Sequence, residues 1–192
     1  MRTCGLDECG RGPLAGPIVA AAVVLSRPLK NLKDSKKLSA KKRQYLYRRI
    51  IKNATAVEIE SISVRLINNQ GIGWANKEVF KRLIKKVEAN KYIVDGNLKL
   101  RVRGKSNLIR SVIKADNKYP EVMAASIVAK VTRDKLMRQL SKKYPEFGWH
   151  SNVGYGTKYH VSAIQQWGTN KHHRSMFVTT ALKNHGSHSN NV

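Results

Sequence analysis

At 192 residues, 41% of them hydrophobic, the chain is long enough to bury a core as one domain and too apolar for a disordered basic tail. Its 37 Lys and Arg against 12 Asp and Glu leave a formal charge of +25, a field that draws polyanions, of which nucleic acid is the commonest. Cys4 and Cys9 are too few for a disulfide scaffold, and no Cys/His pattern suggests zinc.

The elements follow in chain order. Residues 2–7 and 17–25 read as two apolar strands joined by a Gly/Pro stretch, "CGRGPLAGP". The apolar run "AGPIVAAAVVL" is interrupted by Pro17 and too short to cross a bilayer. Asp7 and Glu8 stand where a signal peptide needs an uncharged approach, so a cytoplasmic protein without membrane attachment is expected. "DSKKLSAKKRQYLYRRIIKN" leads through a loop into a basic helix with Ser39 as N-cap and Tyr45, Leu46, Ile50 and Ile51 at helical spacing. Residues 55–64 alternate and are β-branched, predicting a third strand, and 70–90 suit a helix. A fourth strand covers 91–97 and a fifth 108–116, ending at Asp116. A long helix with small Ala124, Ala125 and Ala129 spans 120–144, and another spans 158–167. The polar tail 184–192 is expected to fray. Three strands in a row followed by alternating helices and strands indicate an α/β fold with a mixed sheet and helices packed on it.

For a chain so short of acids, two adjacent carboxylates need either open solvent or a cation between them. Asp7, Asp95 and Asp116 each follow an apolar, strand-like run, "CGLD", "YIVD" and "VIKAD", so all three can converge on one sheet edge. Strand-end aspartates also serve as turn formers and helix caps, and for Asp95 or Asp116 taken singly that reading stays open. On a regular strand Glu8 faces away from Asp7, so the turn at Gly10–Gly12 would have to break the alternation to bring both to one site. Four converging carboxylates demand cations, and an all-oxygen set suits Mg²⁺ or Mn²⁺. Two such ions are the usual machinery for in-line attack at a phosphodiester. Glu58 and Glu60 share a strand face and are expected to meet lysines. His150, His160, His172 and His173 fit no zinc pattern, and His160 is expected to order local structure. Charge alone also admits a non-catalytic RNA-binding protein, but such a binder gains nothing by clustering negative charge on its binding face.

The stretches "GLDECGRGPLAGPIVAAAVVL", "DSKKLS", "YIVDGN", "KADNKYPEVMAASIVAKVTRD" and "NVGYGTKYHVSAIQQWGTNKHHRSMF", in that order from residue 5 to about 177, resemble the ribonuclease HII family. Position 9 is Cys where that family usually has a small aliphatic residue, and residues 66–80 follow it loosely. The resemblance implies an RNase H-like fold, with a catalytic body over 1–145 and a C-terminal helical substrate-binding extension over 146–183. It also implies a monomer that cleaves RNA in RNA/DNA hybrids and incises duplex DNA at embedded ribonucleotides, leaving 5'-phosphate and 3'-OH ends. The catalytic and metal-holding residues it implies are Asp7, Glu8, Asp95 and Asp116, around two Mg²⁺ or Mn²⁺ ions. Main-chain groups of Gly10, Arg11 and Gly12 would contact the 2'-OH, and Tyr155, between Gly154 and Gly156, would stack on a sugar. Ser35, Lys36, Lys37, Lys130 and Arg174 would hold backbone phosphates.

Overall fold

A computed structural model describes residues 2–29, 32 and 38–186 of the chain. Five strands form one mixed sheet: β1 (Thr3–Cys9), β2 (Ile18–Leu25), β3 (Ala54–Ile62), β4 (Lys91–Asp95) and β5 (Ile109–Val112), in the order β3-β2-β1-β4-β5. The first three make an antiparallel meander, while β4 joins β1, and β5 joins β4, in parallel. Parallel pairing needs a crossover, supplied between β3 and β4 by α2 (Val64–Gln70) and α3 (Ile72–Lys86). The other helices are α1 (Ala40–Asn53), α4 (Pro120–Ser141), the short α5 (Trp149–Asn152), α6 (Lys158–Trp167) and α7 (Ser175–Gly186).

The β2 sequence IVAAAVVL is apolar without alternation because both faces of this strand are covered. Ala20, Ala22 and Val24 face a cluster that includes Val79, Phe80 and Leu83 of α3. Ala21 and Val23 face Leu46 and Ile50 of α1 and Ala124, Ala125 and Val128 of α4. A third cluster ties Leu14 and Ala15 to Met137 of α4 and to Phe147, Trp149, Val161, Ile164 and Val178 of the C-terminal segment. That segment therefore packs directly on the chain that follows β1. Among the described residues no helix is long and apolar enough to cross a membrane.

Most predicted elements stand within a few residues of their expected bounds, and the Ser39 side chain caps α1 by accepting from the Lys42 N–H. Three differ. The third strand stops at Ile62, because the Ser63 hydroxyl accepts from the Leu66 N–H and starts α2 where alternation suggested more strand. The fifth strand ends at Val112, so Asp116 is not strand-terminal and lies on a 3-10 turn, Ala115–Asn117. Residues 184–186, placed in a frayed tail, continue α7; the rest of that tail lies outside the described residues. Glu60 does meet a lysine, Lys86, at 2.5 Å.

Candidate active site

Sheet register brings the first two aspartates together. Leu6 pairs with Val94 across the parallel β1–β4 ladder, so Asp7 and Asp95, one residue further on, leave adjacent strands at the same end. Asp116 arrives by a different route. After β5 the chain passes through Lys114, held at φ 56°, an uncommon left-handed conformation for a residue with a Cβ. The Ala115 N–H then donates to Asp95 Oδ1 at 2.7 Å, which fastens the 3-10 turn carrying Asp116 against the end of β4. One carboxylate oxygen from each of Asp7, Asp95 and Asp116 lies within 4.8 Å of the others.

Helix α4 closes over this end of the sheet. Its backbone at Glu121 and Val122 lies so near β1 that a Cβ on Gly5 would collide with it, so residue 5 must be glycine. Ser126 of α4 hydrogen-bonds the Asp7 carboxylate, and Asp7 Oδ1 accepts the Glu8 N–H at 2.7 Å. These donors do not offset the environment: burial first, then the charges of Glu8 and Asp95, raise the Asp7 pKa well above the ordinary carboxylate value. Three mutually repelling, largely buried carboxylates are the arrangement a cation relieves. An all-oxygen donor set fits a hard divalent ion such as Mg²⁺ or Mn²⁺.

Glu8 behaves otherwise. β1 stays regular through Cys9, with Glu8 opposite Ala20, so the alternation between Asp7 and Glu8 is kept along the strand. Glu8 stands outside the three-aspartate cluster and lines a cleft of about 360 Å³ together with Cys9, Gly10, Arg11, Gly12, Asp95, Ser126, Lys130 and Tyr155. The Arg11 guanidinium is 3.7 Å from its carboxylate. Asp95 belongs to both groups, so the carboxylate cluster opens onto this cleft. Lys130 is held at 2.8 Å by Asp134, and Tyr155 is 44% exposed.

Arg174, expected on a phosphate, is corrected: it is 0% exposed and donates to the carbonyls of Gly10, Arg11 and Gly16 at 2.7–3.0 Å. Buried behind the loop, it has no path to a phosphate. Burial and the nearby Arg133 charge lower its pKa to about 9, which leaves it a cation at neutral pH. Ser35, Lys36 and Lys37 lie outside the described residues.

Sequence reasoning missed a second buried cation and most of an aromatic network. Arg133, equally buried, donates to the carbonyls of Ala15, Pro17 and Val153. In "KVTRDK" it looks like any solvated helix cation, and only the glycines at 10, 16 and 154 hint at something packed close. The network runs behind Tyr155. Asn170 N–H donates to His173 Nδ1 at 3.0 Å, so the His173 proton sits on Nε2, 3.2 Å from His160 Nε2. Trp149 Nε1–H also donates to His160 Nε2 at 3.0 Å, leaving His160 Nδ1–H to donate to the Tyr155 carbonyl at 2.9 Å. His160 orders local structure, as expected. Burial lowers the pKa of both histidines, that of His173 to about 4.

Comparison with known proteins agrees with the fold and site. The ribonuclease HII of Archaeoglobus fulgidus, solved in complex with PCNA, superposes with a TM-score of 0.80 at 28% identity over 91% of this chain and 94% of that one. The ribonuclease H2 of Pyrococcus horikoshii OT3 gives 0.77 at 25% identity over 96% and 98%. These neighbours make the architecture an RNase H-like fold, that of a metal-dependent ribonuclease. Curated ribonuclease HII proteins of Aliarcobacter butzleri and Sulfurovum sp. are 41% and 42% identical, each over 93% of this chain and 92% and 93% of their own lengths. The family model for ribonuclease HII matches residues 4–180, and the chain belongs to that family.

Proposed function

We propose that this protein hydrolyses the RNA strand of RNA/DNA hybrids and incises duplex DNA at embedded ribonucleotides, leaving 5'-phosphate and 3'-OH ends. The observation that carries the reading is the three-aspartate cluster within 4.8 Å, opening onto a cleft whose other wall is Gly10–Gly12 and Tyr155. Chemistry and sugar recognition then share one cavity. Asp7, Asp95 and Asp116, with Glu8 beside them, would hold Mg²⁺ or Mn²⁺, two ions in the working complex. Such ions supply activation of the attacking water and charge neutralisation at the leaving 3' oxygen.

The chain's own groups do the rest. The main chain of Gly10, Arg11 and Gly12 reaches the sugar, where the 2'-OH is the group that distinguishes RNA from DNA. Half-exposed Tyr155 offers a ring face to the neighbouring sugar, and the His160 bond to its carbonyl holds that residue in place. Lys130 on the cleft wall, and from the sequence Ser35, Lys36 and Lys37, hold phosphates. Residues 146–183 act as the substrate-binding extension of a catalytic body over 1–145, an assignment supported by Tyr155 lying on the extension and lining the cleft.

The test is an end-labelled duplex carrying one ribonucleotide, run beside an RNA/DNA hybrid and an all-DNA duplex with Mg²⁺ and with EDTA. Metal-dependent cleavage of the first two, with 5'-phosphate ends and an intact third, is expected. Cleavage of all three alike, or of none, overturns the reading.

A further inference from the structure

Arg133 and Arg174 are both wholly buried, and among the described residues neither has a carboxylate partner within ion-pair distance. Two guanidinium ions placed close together without an ion-pair contact are an expensive arrangement unless their fixed donors do something specific. All six of their assigned acceptors are main-chain carbonyls: Arg174 takes Gly10, Arg11 and Gly16, and Arg133 takes Ala15, Pro17 and Val153. Five of the six belong to the single loop 10–17, and Val153 belongs to the segment that presents Tyr155.

Peptide planarity gives this a consequence. No peptide bond among the described residues is cis, so within each unit the N–H points away from the C=O. Drawing the Gly10 carbonyl inward to Arg174 turns the Arg11 N–H outward, and drawing the Arg11 carbonyl inward turns the Gly12 N–H outward. Both residues line the cleft, and neither N–H finds a main-chain acceptor among the described residues. A guanidinium on the carbonyl side also polarises each unit, strengthening its outward N–H as a donor. Gly10 itself, at φ +97°, is required here, since a Cβ would strike the Arg133 side chain.

We propose that Arg174 is a positioning residue for ribose recognition, aiming the N–H groups of Arg11 and Gly12 at the substrate 2'-oxygen, with Arg133 locking that loop to the Tyr155 segment. This rests on the proposed function. Arg174 touches no substrate atom and acts only through the loop.

The experiment compares equilibrium binding of a duplex carrying one ribonucleotide with the same duplex in all-DNA form, at fixed salt with Ca²⁺ in place of Mg²⁺, for wild type, Arg174→Met, Arg174→Lys and Gly12→Pro. Wild type should prefer the ribonucleotide, and Arg174→Met should reduce that preference about tenfold, the worth of one or two hydrogen bonds, while all-DNA affinity and its salt dependence hold. Arg174→Lys keeps the charge without the three-carbonyl grip and should resemble Arg174→Met. Gly12→Pro deletes one N–H directly at a position where an added Cβ meets nothing within 4 Å, and should reproduce the loss without touching the core. Equal weakening on both duplexes with a shallower salt slope would make Arg174 a phosphate contact and overturn the proposal. So would an unchanged preference in either Gly12→Pro or a folded Arg174 variant. A wild type with no ribonucleotide preference would instead defeat the functional reading beneath it.

Discussion

The two walls of the cleft solve opposite electrostatic problems. At the sheet end, Asp7, Asp95 and Asp116 crowd like charges into a largely buried space, and the local donors leave Asp7 hard to ionise. Across the cleft, Trp149, His160, His173 and the two arginines are equally polar and buried, yet each hydrogen bond of that network has its partner within the fold. The first wall is completed only by something from outside. The second is held from behind by bonds made within the fold. Substitutions in the first should therefore separate activity from stability, and substitutions in the second should couple them.

The largest effect should come from breaking the carboxylate wall. Asp7→Asn keeps shape and removes one charge, so cleavage should fall about a thousandfold or more, since cation-held charge stabilisation is worth several kcal/mol. Stability moves the other way. A carboxyl whose folded pKa exceeds its unfolded value binds more protons when folded, so its contribution is lost as pH rises from the ordinary carboxylate value through the raised one. At neutral pH in EDTA, Asp7→Asn should melt higher than wild type. A variant that melts lower while keeping turnover would erase the distinction between the walls.

The satisfied wall should show the reverse sign in acid. His173 has a folded pKa of about 4 against 6.5 unfolded, so the unfolded state binds more protons between those values. Stability is lost as pH falls from 6.5 to 4, by at most roughly 3 kcal/mol if the shift is fully expressed. A proton added at His173 Nδ1 would face the Asn170 N–H, and one added at His160 Nε2 would face the Trp149 N–H. His173→Gln should lower the melting temperature at pH 7 and flatten its fall between pH 6.5 and 4. If both proteins decline in parallel, the histidine pair is not the source.

How far each wall could be read from the chain follows from the same contrast. Asp7 and Asp95 were legible because unpaired acids after apolar runs are conspicuous in a protein this basic, and sheet register then places them together. Asp116 was legible as a residue and not as an element. Its turn exists because the Ala115 N–H finds Asp95, a contact 20 residues away that periodicity cannot show. Arg133 and Arg174 were hidden because burying a cation against carbonyls leaves no mark distinguishing it from the other basic residues. α7 was missed because SMFVTTALKNHG mixes β-branched residues with little amphipathic order, and tertiary packing of Val178 in the third core cluster decides it.

Tyr155 joins the walls, and its expected effect is intermediate. Tyr155→Ala removes the stacking face and no ligand of the carboxylate cluster, so cleavage at a single embedded ribonucleotide should fall by roughly 1–3 kcal/mol, about 5- to 150-fold. A continuous RNA/DNA hybrid offers many equivalent registers and should lose less. Tyr155→Phe should lie between. Equal losses on both substrates would make Tyr155 part of the general scaffold, and no loss on either would make it filler.

The smallest effect should mark where one wall ends. Lys130 lines the cleft, but its ammonium is already 2.8 Å from Asp134, one turn along α4. It thus has a counter-ion within the fold, while standing where substrate phosphates would pass. If it neutralises one phosphate, Lys130→Ala should lower the log–log salt slope of duplex binding by about one unit. Asp134→Asn should then do the opposite, releasing the ammonium and tightening binding. Turnover at saturating substrate should hold in both, because neither group belongs to the aspartate cluster. Should Lys130→Ala leave the slope unchanged while lowering the melting temperature, Lys130 belongs with the internally paired network, as a largely buried pair at i,i+4 spacing. Should Asp134→Asn weaken binding, the pair acts as a unit and the acid positions the lysine for phosphate.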